Sequence, residues 1–363
     1  MLNSARSGSD LARPTIGRTM RVTHALLLPA LGLKSAPAIA TRVMRTAIMR
    51  SPQEQLAPSA LPGALDFDDV ATIPRPGSQG LSMVSFSPDD RYVTYLGSVD
   101  STSLTRQLFA FDRETGETSQ VITPNEAEVT YSKEEQLMRE RARIMSTGIT
   151  HYQWAAAANR LLVPIDGALH VLDGVLASPR RLFDPSDERW AAVGSGPLLD
   201  PKLSSDGTRV FFVWDGEVCS CNVPDDGADA AEPARRTFGA RGEGKSNGLA
   251  DYCAQEEMDR YTGYWPSPDG RLIAYEEVDE RHIPEYQIPR HADDPSESDA
   301  FRYPFAGAAN PKVRLGVSAG EGGDDVVWFD LTAAHGDDFY LARVDWAADG
   351  KTLLAQVCGK PPL

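Results

Sequence analysis

The sequence YWPSPDGRLIAYEEVD, from Tyr264 to Asp279, predicts the architecture of the chain around it. Aromatic residues lead into a polar turn, Ser267 to Gly270, and the residues after the turn are typical of a buried strand. Asp and Gly tolerate the positive φ angles that a tight hairpin requires. The stretch therefore predicts a β-hairpin.

The same pattern occurs four more times, each time as a short strand, a polar turn and a strand rich in β-branched and aromatic residues. The other copies are LSMVSFSPDDRYVTYLG (Leu81 to Gly97), YQWAAAANRLLVPIDGALHVLD (Tyr152 to Asp173), PKLSSDGTRVFFVWDGEVCSCNV (Pro201 to Val223) and VDWAADGKTLLAQV (Val344 to Val357). Constant hairpins with spacers of unequal length indicate propeller blades with loop insertions. We therefore predict an all-β fold, a partial β-propeller, and a β-sandwich is the weaker alternative.

Two segments between the hairpins depart from the β pattern. SKEEQLMRERARIMSTGI, Ser132 to Ile149, begins with a capping box formed by Ser132 and Glu135 and continues with strong helix formers. It predicts a short inserted helix. The Gly-rich and charged segment from Pro224 to Gly248 predicts a loop.

The sequence before the first hairpin divides into two parts. Residues 1–50 are Arg-rich and predict a targeting or disordered leader. Within it, residues 20–40 resemble a secretory signal with an Ala-x-Ala cleavage site, the segment read from Met1 resembles an organellar transit peptide, and otherwise the chain is expected to be cytoplasmic. Residues 51–80 predict a Pro-rich linker, and residues 81–363 carry the propeller.

Composition and charge exclude several classes of function. The chain is 41% hydrophobic and 24% charged, and no apolar run approaches the ~20 residues of a spanning helix, so no integral membrane segment is predicted. The leader carries a charge of +7 and the remaining residues −23 of the total −16. Such an acidic body argues against nucleic acid as a partner and favours ligands that carry an amine.

Cysteine and histidine spacing predicts no metal site and no cofactor. Cys219 and Cys221 lie two apart on a predicted strand and are expected to be buried thiols on one face, although a disulfide from Cys253 to a strand cysteine stays open. The six histidines are scattered without the spacing of metal ligands.

An acidic pair precedes the Tyr264 hairpin, in the sequence QEEMDRYTGYW from Gln255 to Trp265. Neighbouring residues of a strand point to opposite faces, so Glu256 and Glu257 can converge only from a turn, a bulge or a short helix. Held together, the two carboxylates would attract a compact cation such as a free peptide N-terminus. The alternative is a solvated acidic pair on a loop.

The surroundings of this pair resemble a known family. NGLADYCAQEEMDRYTGYWPSPDGRLIAY (Asn247 to Tyr275) is similar to the double-glutamate segment of dipeptidyl peptidase IV-type serine peptidases, especially the bacterial enzymes and the dipeptidyl peptidase 8/9 branch. RERARIMSTGITHYQW (Arg139 to Trp154) resembles the arginine-bearing segment of that family, and RYPFAGAANPKVRLGV (Arg302 to Val317) resembles a strand entry. The resemblance covers roughly residues 80 to 357.

The resemblance implies an eight-bladed propeller that caps an α/β-hydrolase domain and assists the removal of Xaa-Pro or Xaa-Ala dipeptides from peptide N-termini. In the family the double glutamate binds the substrate α-amine, and a propeller arginine binds the carbonyl between the first two residues. These roles fall on Glu256, Glu257 and Arg143, or on Arg141 if the register differs by two. The resemblance also implies a homodimer.

The catalytic residues of the family lie in the hydrolase domain, which follows the propeller. The 363 residues reach only the middle blades, so we expect the α/β-hydrolase domain to be absent from this chain and the chain alone to be inactive. A G-x-S-x-G pattern at Gly316 to Gly320 leads into a turn and a strand and is not expected to be a nucleophile elbow. The alternative function is a non-catalytic β-propeller binding module for peptides or a protein partner.

Overall fold

The computed structural model describes residues 80–359, apart from 101–102, 125–132, 226–231, 243, 290–297 and 320–325, together with Phe67 and Ala71. The chain divides between Leu65 and Asp66, and every described residue belongs to the second part. The predicted leader and almost all of the predicted linker lie outside the described residues, as do Ser132 of the capping box and Gly320.

Three antiparallel sheets follow one another along the first part of the propeller. The first has the order β1 (Ser82–Phe86), β2 (Tyr92–Ser98), β3 (Thr105–Asp112) and β4 (Thr118–Ile122), with β5 (Thr147–Gly148) parallel to β3. The second has the order β6 (Gln153–Trp154), β7 (Leu161–Ile165), β8 (Ala168–Leu172) and β9 (Arg180–Phe183). The third has the order β10 (Leu198–Leu203), β11 (Arg209–Trp214), β12 (Glu217–Asn222) and β13 (Ala234–Arg235).

A fourth sheet and two hairpins complete the described strands. The fourth sheet contains β14 (Lys245–Asn247), β15 (Tyr264–Pro266), β16 (Ile273–Asp279), β19 (Lys312–Ser318) and β20 (Val326–Trp328), with β14 and β15 both paired to β16. A hairpin of β17 (Glu285–Pro289) and β18 (Ser298–Arg302) is inserted between β16 and β19, and β21 (Phe339–Trp346) pairs with β22 (Leu353–Gly359). Consecutive sheets of this kind confirm the predicted partial β-propeller.

Short helices occupy the connections between strands. They are α1 (Lys133–Arg141), α2 (Tyr252–Met258), α3 (Leu331–His335) and a 3₁₀ turn at Glu188–Trp190. Helix α1 is the predicted insertion, and it ends at Arg141, so only the first half of the predicted segment is helical. No helix among the described residues is long and apolar enough to cross a membrane.

Three of the five polar turns are built from one repeated set of hydrogen bonds. In the Tyr264 hairpin the Ser267 hydroxyl donates to the Asp269 carboxylate at 2.6 Å and accepts from the Leu272 N–H at 3.0 Å. Gly270 closes the turn by donating to the Ser267 carbonyl at 2.8 Å, with φ 66°. Ser87 and Ser204 make the same pair of contacts in their own hairpins. The sequence pattern therefore encodes the turn directly.

Neighbouring turns contact one another and form one end of the molecule. Ala157 N–H donates to the Ser205 carbonyl at 2.8 Å, and the Arg160 guanidinium donates to the Gly207 carbonyl at 2.9 Å. The turns join β1 to β2, β6 to β7, β10 to β11 and β15 to β16, so the connections that lead into β1, β6, β10 and β15 lie at the other end. Helices α1 and α2 belong to those connections.

Each pair of successive sheets encloses its own hydrophobic core. Leu96 and Leu108 of the first sheet pack with Leu161 and Val163 of the second. The other cores lie between the second and third sheets, around Phe183, Phe212 and Trp214, between the third and fourth, around Phe211, Tyr264 and Tyr275, and between the fourth sheet and β21–β22, around Leu315 and Leu341.

The cysteines follow the sequence prediction. Cys219 and Cys221 are buried on β12 within the core between the second and third sheets. Burial raises the pKa of both thiols to about 12. All four cysteines are described and none forms a disulfide, so the alternative bridge from Cys253 is not present.

A buried ion pair joins the fourth sheet to the last hairpin. The two terminal nitrogens of Arg260 donate to the two carboxylate oxygens of Glu276 on β16, at 2.7 and 2.9 Å. The same guanidinium donates to the backbone carbonyls of Thr262, at 2.7 Å, and Leu341 on β21, at 2.9 Å. Arg260 is 4% exposed and Glu276 is fully buried. Burial raises the pKa of the Glu276 carboxyl, and the paired guanidinium opposes that rise.

The loss of stability on replacing a turn glycine depends on how closely the neighbouring turn packs against it. Gly207 and Gly167 both have positive φ, 74° and 77°, so an alanine at either costs about 1–2 kcal/mol of backbone strain. A Cβ at Gly207 would also lie 3.3 Å from the Cβ atoms of Ala155 and Ala158, whereas nothing lies within 4 Å at Gly167. We expect Gly207→Ala to lower the free energy of unfolding in urea by about 1 kcal/mol more than Gly167→Ala. Equal losses would contradict the close approach of the turns.

Removing one member of the buried pair should cost more than removing both. Glu276→Leu leaves the Arg260 guanidinium buried without its carboxylate and is expected to reduce the free energy of unfolding by about 3–5 kcal/mol. Adding Arg260→Met removes the unpaired charge, so the double variant should be more stable than Glu276→Leu alone. Urea unfolding of the two variants measures this difference. A double variant less stable than the single one would show that Arg260 acts mainly through its backbone acceptors.

Candidate functional site

Helix α2 carries the predicted acid pair. The Asp251 carboxylate caps its N-terminus by accepting from the N–H groups of Cys253, at 2.8 Å, and Ala254, at 3.2 Å. The helix ends at Met258. Of the three geometries that the sequence leaves open for Glu256 and Glu257, the structure has the short helix. Adjacent helical residues lie about 100° apart, and both glutamates are exposed, so both carboxylates project from the outer side of α2.

The chain on both sides of α2 is fixed by buried polar contacts. Before the helix, the buried carboxylate of Glu217 accepts from the Asn247 side chain at 2.8 Å, from the Thr237 hydroxyl at 2.7 Å and from the Ala240 N–H at 2.6 Å. After the helix, Arg260 is held by Glu276. The segment that presents the acids is therefore anchored at both ends.

Arg141, the last residue of α1, reaches the acid pair. Its guanidinium donates to the Gln255 side-chain oxygen at 2.9 Å and lies 3.7 Å from a Glu256 carboxylate oxygen. It also lies over the Tyr252 ring, 4.9 Å from the ring centroid. These contacts join the last residue of α1 to Tyr252, Gln255 and Glu256 of α2.

Arg143 occupies a different position. It follows α1 with φ 53° and is exposed; its N–H donates to the Glu140 carbonyl at 3.0 Å, and its side chain makes no hydrogen bond or ion pair with the described residues. The structure therefore brings Arg141, the alternative that the family resemblance implies if the register differs by two, to Glu256, and leaves Arg143 outside this contact. Burial and neighbouring acids raise the pKa of Tyr261, and both guanidiniums oppose that rise, so both lie within electrostatic reach of that residue.

Tyr261 is part of the site although the sequence pattern does not identify it. Burial raises the pKa of its hydroxyl, and the negative charges of Asp259 and Glu256 raise it further. Tyr261 directly follows Arg260, whose buried pair fixes the backbone at this point. In the sequence, the signal that points to Tyr261 is an aromatic residue four positions after Glu257.

Two cavities lie beside Tyr261 at the end of the molecule that carries the helices. The first, named here the Arg141 cavity, has a volume of about 400 Å³ and is lined by polar groups that include Arg141, Asp251 and Gln255. The second, the Ile165 cavity, has a volume of about 390 Å³ and lies between α1, β7 and β10. Met138, Leu199 and Tyr261 line both cavities and form the wall between them.

Ser318 of the G-x-S-x-G pattern is the last residue of β19. It is 3% exposed, and its hydroxyl donates to the Arg236 carbonyl at 3.4 Å. It pairs with Ile273 on one side and Val326 on the other, so it sits within a sheet. This setting differs from the strand, sharp turn and helix that expose a nucleophile. Across the described ranges, no group of three or more His, Cys, Asp or Glu side chains is arranged to hold a metal ion.

The fold and the sequence both match known peptidases. Residues 179–359 match the family described as the dipeptidyl peptidase IV (DPP IV) N-terminal region. Human dipeptidyl peptidase 8 is 30% identical over 249 residues, which cover 61% of this chain and 27% of that protein. Cat dipeptidyl peptidase 4 is 27% identical over 161 residues, covering 42% of this chain and 20% of the relative.

A solved structure shows the same fold. The crystal structure of Porphyromonas gingivalis dipeptidyl peptidase 4 superimposes with a TM-score of 0.54 and 19% sequence identity, over 76% of this chain and 36% of that one. The matched part of the chain thus spans between a fifth and somewhat more than a third of the length of these proteins. The family match and the curated relatives show that the chain belongs to the dipeptidyl peptidase IV family and carries its N-terminal region.

Proposed function

We propose that this chain recognises the free N-terminus of a peptide and supplies this recognition to a dipeptidyl peptidase of the serine type. The observation that carries the proposal is the pair of exposed carboxylates, Glu256 and Glu257, on a helix anchored at both ends. A protonated α-amine has three donors and one positive charge, which two adjacent carboxylates can share. The substrates proposed are peptides that begin with Xaa-Pro or Xaa-Ala.

We propose different roles for the two arginines. Arg143 is exposed and unpaired among the described residues, so its guanidinium is available to bind the carbonyl oxygen between the first and second residues of the peptide. Arg141 already contacts Gln255 and Glu256. It therefore serves to position the acid pair rather than to bind the peptide.

Recognition of the amine defines where the peptide is cut. If the amine is fixed on α2, the distance from the amine to the scissile bond is set by two residues, so only dipeptides are released. The names of the relatives, dipeptidyl peptidase 8 and dipeptidyl peptidase 4, agree with this product. We also propose a domain boundary at residue 81 and assembly as a homodimer. The cellular location that residues 1–50 would direct is a further proposal.

Binding of a free amine can be tested with peptides and charge-matched variants. We expect Ala-Pro-Ala to bind the chain and N-acetyl-Ala-Pro-Ala not to bind, because acetylation removes the positive charge. Glu256→Gln and Glu257→Gln should each weaken the binding of Ala-Pro-Ala about tenfold, since each removes one partner of the amine. Chemical-shift titration in solution measures the Kd values.

Asp259→Asn is the matched control for this test. It removes the same unit of charge from an exposed position next to α2, and asparagine tolerates the left-handed conformation of residue 259, with φ 51°. If Asp259→Asn weakened binding as much as Glu256→Gln, the attraction would come from the general negative charge of the chain. That result would contradict a defined amine site.

The role of Ser318 can be tested by activity. We expect the purified 363-residue chain not to hydrolyse a chromogenic Ala-Pro substrate, because Ser318 is buried within a sheet. The measurement is release of the chromophore by wild type and by Ser318→Ala. Turnover by the wild type that disappears in Ser318→Ala would contradict this assignment, and binding of peptides without turnover would also be compatible with a non-catalytic binding module.

A further inference from the structure

We propose that Tyr252 is a positioning residue for the acid pair: its ring holds the Arg141 guanidinium away from the Glu256 carboxylate, so that this carboxylate keeps acceptor positions for a peptide amine. This inference rests on the proposed binding of the amine by Glu256 and Glu257. It assigns a task to an aromatic side chain that is not among the groups proposed to bind the peptide.

Three side chains of α2 surround the Arg141 guanidinium. Tyr252, Gln255 and Glu256 are spaced i, i+3 and i+4, so they lie on one face of the helix. The guanidinium carbon lies 4.9 Å from the centroid of the Tyr252 ring, and a terminal nitrogen donates to the Gln255 side-chain oxygen at 2.9 Å. The Arg141 Nε lies 3.7 Å from a Glu256 carboxylate oxygen, which is too long for a hydrogen bond. Arg141 is therefore held by the ring and the amide, and Glu256 is its more distant partner.

Without this restraint Arg141 would compete with the peptide. A guanidinium can form two parallel hydrogen bonds with a carboxylate, and such a pair occupies both carboxylate oxygens. The Glu256 side chain is 36% exposed, so it has room to rotate towards Arg141. The attraction of the guanidinium to the face of the Tyr252 ring opposes that rearrangement. If the ring were removed, an amine would have to displace Arg141 from Glu256.

The ring of Tyr252 is itself fixed by contacts from the β17–β18 hairpin. Tyr303, the residue after β18, packs against Tyr252 edge to face, with ring centroids 5.0 Å apart and an interplanar angle of 77°. Phe305 packs against Tyr303 at 5.2 Å, and Tyr286 of β17 packs against Phe305 at 4.6 Å. The pKa of the Tyr252 hydroxyl is raised to about 12, first by burial and then by Tyr303, so the ring stays neutral at physiological pH. A row of aromatic rings thus connects the hairpin to the guanidinium.

Variants of Tyr252 test the inference through their dependence on Arg141. Leucine forms helices well but has no π face, so we expect Tyr252→Leu to raise the Kd of Ala-Pro-Ala about threefold. Tyr252→Phe keeps the ring and should bind like the wild type. In the Arg141→Met background, Tyr252→Leu should leave the Kd unchanged, because no guanidinium remains to compete. Chemical-shift titration gives the Kd values, and urea unfolding verifies that each variant is folded.

Tyr303→Leu and Tyr286→Leu separate the contact with Tyr252 from the hairpin as a whole. Tyr303 packs against Tyr252, whereas Tyr286 packs against Phe305. We expect Tyr303→Leu to raise the Kd of Ala-Pro-Ala about threefold while Arg141 is present, and Tyr286→Leu to leave it unchanged. Equal losses in the two variants would show that the hairpin acts as a unit, which would contradict the inference.

The inference and the proposed function fail in different ways. The inference is overturned if Tyr252→Leu binds Ala-Pro-Ala as tightly as the wild type, or loses as much affinity in the Arg141→Met background as it does alone. In either case the proposed function stands as long as N-acetyl-Ala-Pro-Ala fails to bind. Binding to the wild type that is insensitive to acetylation would overturn both.

Discussion

The buried pair of Arg260 and Glu276 is the interaction on which the site end of the molecule depends. A guanidinium withdrawn from water needs partners for its charge and its donors, and the two terminal nitrogens of Arg260 find them in the Glu276 carboxylate and in the backbone carbonyls of Thr262 and Leu341. These contacts fix the position of the Arg260 side chain. The helix that ends two residues earlier is oriented by the same constraint, and so is Tyr261 immediately after it.

The two ends of the molecule differ in how well they accept added side-chain atoms and inserted segments. At one end the polar turns pack against their neighbours, so that even a methyl group added at Gly207 meets Ala155 and Ala158. At the other end the connections include α1, α2 and the β17–β18 hairpin, which differ from one another in length and structure. Loops on a rigid scaffold are where binding residues accumulate. The propeller therefore holds its sheets together at the turn end and can present functional groups at the other.

The sequence predicts features that depend on local chemistry. The turn at Ser267 to Gly270 is a four-residue motif whose hydrogen bonds involve only its own atoms and its immediate neighbours, so the hairpins and the propeller could be recognised. The buried thiols of Cys219 and Cys221 follow from the period of a strand. The sequence allows the acids on a turn, a bulge or a short helix, and the N-cap Asp251 is the local feature that favours the helix.

Features that depend on contacts between distant residues could not be predicted. The partnership of Arg260 with Glu276 requires the register of β16 against the chain after α2, and Glu276 stands beside a second glutamate, Glu277, that pairs instead with Lys245 and Arg314. The choice between Arg141 and Arg143 likewise depends on where α1 ends. A helix that ends at Arg141 directs that side chain to Gln255, and the left-handed residue 143 turns away from the contact. Sequence spacing alone does not fix either direction.

The contact of Arg141 with Glu256 makes the two acids of α2 unequal. Glu256 shares its charge with a guanidinium 3.7 Å away, whereas Glu257 has no ion pair among the described residues. Under the proposed function, a peptide amine would meet the carboxylate of Glu257 without a competing ion pair among the described residues and, at Glu256, a carboxylate that already has Arg141 as a partner. To engage both, it must displace Arg141 or share Glu256 with it, because a carboxylate has two oxygens and several acceptor positions. Sharing is the less costly arrangement, since it keeps the bond from Arg141 to Gln255 and with it the junction between α1 and α2.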